Sequence, residues 1–190
     1  MQILIIILVI VVVAALAFLA LGYYRKRRSS QLRDRFGPEY DRAVGEHGDR
    51  RAAEPVLLDR QKRVEKLNII PLSDADRERY AQEWRQVQAR FVDDPAGATA
   101  EADRLVHQVM EARGYPMGDF EQRVADISVE HSSVVANYRR AHDIAVRQQR
   151  GEVDTEDLRK GIVYYRSLFE DLLEKGQTDE SRSREAKARQ

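Results

Sequence analysis

From residue 73 onward apolar side chains recur at helical spacing, and each run is framed by start and stop signals. Tyr80, Trp84, Val87 and Phe91 lie at i, i+4, i+7 and i+11, one face of a helix. Ser73 and Asp76 open it as a capping box with the acid shortened by one methylene. Asp94-Pro95 places a cap before a proline at the first helical position, and the helix that follows, to Gly114, turns Leu105, Val106, Val109 and Met110 inward. "GYP" then turns the chain, and Asp119 caps a short helix containing Phe120, Val124 and Ile127. "VEHSSVVANYRRAHDIAVRQQ" reads as a long helix capped by His131, Ser132 or Ser133 and ended near Gly151. Asp154 or Thr155 caps the last helix, where Leu158, Ile162, Tyr165, Phe169 and Leu172 form a stripe. Upstream, "EYDRAVGEHGD" predicts a short helix. Pro55 sets the start of another that runs to about Leu67, and "NIIPL" is extended because the residue before Pro71 avoids the helical region.

The first residues follow a different pattern. Ile3 to Leu21 is an unbroken apolar run of 19 residues, which as a helix covers about 28 Å, close to the hydrocarbon thickness of a bilayer. An Ala15-Leu16-Ala17 triplet imitates a signal-peptide cleavage site. The run is nevertheless longer than a signal core, has no basic residue before it, and is followed directly by "RKRR". The expectation is a transmembrane anchor over residues 1–24. Tyr23, Tyr24, Arg25, Lys26, Arg27 and Arg28 form its membrane interface, the N-terminus lies outside, and the remaining chain is in the cytoplasm. Residues 25–36 form a basic juxtamembrane stem that ends at Gly37-Pro38. Each basic residue near an anionic lipid surface is worth about 1 kcal/mol, though the same residues read equally well as topology signals.

The expected fold class is therefore all-α. A transmembrane helix precedes a compact domain of about six helices over residues 37–176, and residues 177–190 form a disordered tail with no apolar face.

The composition removes several chemistries. With 32 basic and 32 acidic side chains in 190 residues, the chain lacks the basic excess of a dedicated nucleic-acid binder. It has no cysteine, so thiolate metal sites and cysteine nucleophiles are excluded. His131 and His142, on one helix, point the same way but stand about 16 Å apart along the axis, too far to share one zinc ion. His131 and Ser132 are adjacent and do not face each other. His142 is expected partly buried with a hydrogen-bond partner, while His107 on a helix flank and His47 in a glycine-flanked turn are expected exposed or semi-exposed. Arg139-Arg140 is a small basic pair. Trp84, Tyr80, Tyr138, Tyr164 and Tyr165 fall on helical stripes and read as core. No catalytic, cofactor-binding or metal-ligating residue is expected.

The segment "EWRQVQARFVDDPAGATAEADRLVHQVMEARGYPMGDFEQRVADISVEHSSVVANYRRAH", with "TEDLRKGIVYYRSLFEDLL" after it, resembles an uncharacterised family of bacterial single-pass membrane proteins with a small helical cytoplasmic domain. The likeness covers most of residues 30 to 175, with "RFVDDP", "RGYP" and "YRSLFE" as its most distinctive stretches. It implies fold and topology and assigns no activity or binding residue. The functional expectation is a protein-interaction or scaffold module at the cytoplasmic face of a membrane, with a protein partner and the lipid bilayer as its contacts. The alternative is a sensor of anionic lipid acting through the basic stem.

Overall fold

The computed structural model describes the backbone of residues 2–188, the side chains of residues 26–174, and those of Leu16, residues 18–20 and residues 22–24. The described residues form eight helices and no strand: α1 (Gln2–Phe36), α2 (Pro38–His47), α3 (Arg50–Val64), α4 (Asp74–Arg90), α5 (Pro95–Ala112), α6 (Phe120–Ile127), α7 (Val135–Gln149) and α8 (Thr155–Ala188). The expected all-α class holds in that respect.

The transmembrane helix does not. Among the described residues no helix is long and apolar enough to cross a membrane. Of the apolar run the described side chains are Leu16, Phe18, Leu19 and Ala20, and the charged Lys26, Arg27 and Arg28 follow on the same helix, which limits the described apolar length. The rest of that run lies outside the described side chains. So do Arg25 and the expected tail over residues 177–190.

The chain divides into two compact units, residues 1–57 and residues 58–190. In the first, α1 ends where expected, because Gly37 takes φ 48° and Pro38 opens α2. Glu54 Oε1 accepts from Ser29 Oγ at 2.6 Å and from the Tyr40 hydroxyl at 2.9 Å, tying three helices to one carboxylate. The expected start of α3 at Pro55 is corrected to Arg50. Asp49 caps that helix, its carboxylate accepting from Ala52 N at 2.9 Å, and Pro55 is carried inside.

In the second unit, α8 lies against α5 and α7, α5 also against α4, and α6 against α7. Four of the expected caps hold. Ser73 accepts from Asp76 N, Asp94 from Gly97 N, Asp119 from Gln122 N and Asp154 from Asp157 N, at 2.7 to 3.0 Å. The expected stripes are core: Tyr80, Trp84, Val87, Leu105, Val106, Val109, Met110, Val124, Ile127, Tyr165, Phe169 and Leu172 are all buried. Trp84 stacks on Phe169 with ring centroids 4.6 Å apart.

"RGYP" closes the end of α5 on the extended segment before α4. Gly114 has φ 89°, and a Cβ there would meet the Asn68 carbonyl oxygen at 2.5 Å, so both conformation and space require glycine. Ile70 N donates to the Arg113 carbonyl at 2.9 Å beside it. The long helix expected to be capped by His131, Ser132 or Ser133 begins later, at Val135, and no side chain caps it. His131 stands in the turn before it and supplies only its carbonyl, to Val134 N and Val135 N. The reason is that its ring is committed elsewhere.

Candidate functional site

The four histidines separate into different environments. His47 is exposed on the end of α2. His131 is wholly buried, and polar groups from four segments converge on it. Its Nδ1 pairs with Asp171 Oδ2 from α8, and its Nε2 lies 3.1 Å from the Tyr115 hydroxyl oxygen. Tyr115 gives its one hydrogen to Glu130 Oε2 at 2.8 Å. The Asp171 carboxylate accepts from Nδ1, while Nε2 lies between the Tyr115 hydroxyl and Arg113 Nη1, which can only donate. Arg113, also buried, lies alongside, with Nη1 3.0 Å from the Leu172 carbonyl and 3.4 Å from His131 Nε2, and Nε 3.4 Å from the Ile70 carbonyl.

The imidazole is thus linked to the Asp171 carboxylate directly and to that of Glu130 through the Tyr115 hydroxyl. Burial, and then the Glu130 carboxylate, push the Tyr115 phenol far above its ordinary range, which keeps it protonated. The centre joins the extended segment, the end of α5, the turn before α7 and α8. It is closed to any ligand that would need to reach the imidazole.

A second centre is half open. On α5, Asp103 Oδ1 accepts from the Tyr165 hydroxyl at 2.7 Å, while its Oδ2 lies 3.7 Å from His107 Nδ1. His107 Nε2 is 3.0 Å from the Tyr138 hydroxyl, which in turn accepts from Arg123 Nε at 3.4 Å. His142, one turn beyond Tyr138 on α7, stacks on Phe120 with centroids 3.6 Å apart. His142 is half-buried as expected, although its described contact is this ring rather than a hydrogen bond. Burial is the main cause that lowers the pKa of both imidazoles, and Arg123 adds to it, while Asp103 opposes. This centre favours neutral histidine. Among the described residues no group of three His, Cys, Asp or Glu side chains is placed to hold a metal ion.

An open groove of about 350 Å³ runs between α7 and α8. Arg139, Arg140, Arg147 and Lys160 line it against two carboxylates, Asp143 and Asp157. Arg147 is already engaged by Asp157 at 2.7 Å, and Arg139 donates to Glu121 of α6 at 2.8 Å. Arg140 lies 5.7 Å from the centre of the Tyr164 ring, and Lys160 stands exposed on the opposite wall. Ile144 and Tyr164 give the groove an apolar component. Another hollow, of about 440 Å³ between α4 and α5, holds one cation, Arg79, which Asp76 and Glu83 occupy.

The residues expected at a membrane interface are not gathered into any of these sites. Tyr23 and Tyr24 are 69% and 71% exposed on α1, and Lys26, Arg27 and Arg28 are exposed beside them. Of the groove cations, only the pair Arg139-Arg140 stood out in the sequence, and Tyr164, expected in the core, is only partly buried on the groove wall. Arg147 and Lys160 were missed, yet a signal was there. Arg140, Asp143 and Arg147 fall at i, i+3 and i+7, as do Asp157, Lys160 and Tyr164, so each helix carries one charged face. No family model, no curated protein and no solved structure matches this chain.

Proposed function

We propose that the unit of residues 58–190 is a protein-interaction module that receives an acidic peptide segment of a partner in the groove between α7 and α8. The observation that carries this reading is the excess of cations over carboxylates along an open groove, with Arg140 on α7 and Lys160 on α8 both lining it. Carboxylates of a partner would meet these two groups, and Ile144 and Tyr164 would take an apolar side chain between them. Peptide is favoured over nucleic acid because the cations are few and interleaved with Asp143 and Asp157, which repel a continuous phosphate backbone.

The test is fluorescence anisotropy of the full chain with a fluorescein-labelled Glu-rich peptide carrying one central Leu, and with its Lys-rich counterpart. The acidic peptide binds and the basic one does not. Binding weakens as salt rises, since screening at physiological salt acts over about 8 Å. Reversing Arg140 and Lys160 together to Glu lowers affinity by about tenfold or more. Equal binding of both peptides, unchanged affinity in the double reversal, or a preference for a single-stranded oligonucleotide would overturn the reading.

A further inference from the structure

The first turn of α6 stands between the half-open histidine centre and the groove. Glu121, in that turn, holds Arg139 at 2.8 Å, and Arg139 lines the groove. Phe120, in the same turn, is stacked on His142, and Arg123 reaches the Tyr138 hydroxyl that His107 also contacts. The far half of α6 is fixed independently. Val124 and Ile127 are fully buried in the core, and Asp126 is paired with Arg63 at 3.0 Å. Only the first turn is held by groups that change charge near neutrality.

We infer that His107 and His142 form an acid-sensitive clasp: when neutral they seat the first turn of α6 on α7, and when protonated they loosen it, and with it the ion pair that Glu121 makes to Arg139 at the groove. The link to the groove rests on the function proposed above; the clasp itself does not.

The groups facing the two imidazoles decide the direction. α5 supplies Asp103. α6 supplies Arg123 and Glu121. α7 supplies Tyr138 and Asp143, and α8 supplies Tyr165. With both imidazoles charged, His107, His142 and Arg123 crowd about Asp103, one of whose oxygens is already taken by Tyr165. Charging His107 also places a hydrogen on the nitrogen that accepts from Tyr138, while Tyr138 is accepting from Arg123. Glu121 and Asp143 offset part of the charge on His142 from its outer side, and Phe120 presents a π face that tolerates a cation. His107 is therefore the stronger lever.

Two measurements on the full chain test this separately. Amide hydrogen exchange over residues 122–126, whose amides bond to Asp119 and to the carbonyls of the first turn, corrected for intrinsic rates, is compared at about pH 7.5 and about pH 5.5, which bracket the titration of histidine. In the natural chain these amides lose protection at the lower pH while those of residues 105–110 in α5 keep theirs. In the double variant His107→Gln, His142→Gln the loss disappears, since glutamine keeps a polar amide without a titrating charge. A turn equally protected at both pH values, or a double variant that responds like the natural chain, overturns the clasp whatever the groove binds.

The second measurement is anisotropy with the labelled Glu-rich peptide. The natural chain binds it more tightly at the lower pH, and Glu121→Gln binds tightly at both. Removal of the Glu121 carboxylate that leaves affinity unchanged overturns the link between clasp and groove. Absence of binding at either pH overturns the groove reading, and the exchange measurement still decides the clasp.

Discussion

The two histidine centres of residues 58–190, one closed and one half open, are built from the same residue types and hold their imidazoles in different ways. Around His131, the Asp171 carboxylate accepts from one ring nitrogen, and the other lies between the Tyr115 hydroxyl and Arg113. Around His107 and His142, Asp103 is shared with Tyr165, Arg123 adds a like charge, and Glu121 and Asp143 lie on the outer side of His142. The first arrangement engages its imidazole at both nitrogens inside the core, and the second lowers the pKa of both its imidazoles. Residue type alone does not decide which role a histidine takes. Its burial and the partners around it do, so one centre fastens the fold and the other can loosen part of it.

The largest expected effect is therefore at His131. His131→Ala leaves Asp171 without its ring partner and Arg113 beside a void, and removing one partner from a buried charged network costs about 3–5 kcal/mol. His142→Ala removes a stacked ring from a half-buried position and costs about 0.5–1.5 kcal/mol. Urea unfolding of the two variants measures both. Similar losses at the two positions would mean that the centres do not differ in kind.

Next in size is Gly114→Ala. A side chain at φ 89° costs about 1–3 kcal/mol from backbone strain alone, and the clash with Asn68 pushes away the segment that Arg113 holds. The loss should couple to His131→Ala, because both act through the Arg113 contacts. A double-mutant cycle in which the two losses simply add would disconnect the turn from the histidine centre.

The pH dependence is smaller, and its sign is fixed. Both His107 and His142 have folded-state pKa values below the ordinary value of 6.5. On acidification the unfolded chain takes up their protons first. The stability they support is complete above pH 6.5 and is lost as pH falls below it toward the folded-state values. The natural chain should lose stability on this acid limb, and His107→Gln should lose less. Unfolding at a series of pH values checks this, and parallel curves would remove His107 from the account.

The helical stripes and four of the caps were legible because each depends on residues within one or two turns of one another. Tyr80, Trp84 and Val87 needed only their spacing, and Asp94 and Asp119 only their place before a helix. The start of α7 was not legible from its own segment. His131 sits outside the helix because its ring is engaged by Asp171 and Tyr115, 40 and 16 residues away. The histidine centres are likewise made by contacts that no local spacing announces: Asp103 meets Tyr165 across 62 residues. The groove was half legible. Its two charged faces are local patterns, but that they form one groove follows only from the packing of α7 on α8.

The smallest expected change in stability separates hydrogen bonding from charge in the half-open centre. Tyr165→Phe keeps the buried ring and deletes the hydroxyl that donates to Asp103 at 2.7 Å. The net contribution of such a bond is about 1 kcal/mol, somewhat more when the acceptor is charged. The effect on His107 should be more informative than the loss itself. Without the phenol, the Asp103 carboxylate is less satisfied and attracts a protonated His107 more strongly, so the pKa of His107 rises toward its ordinary value. The variant should start less stable at neutral pH and then lose less on acidification than the natural chain does. An NMR titration of the His107 ring alongside unfolding at two pH values measures both quantities. A lower His107 pKa in Tyr165→Phe would mean that Asp103 does not set the charge of this centre, and the contrast with His131 would need another cause.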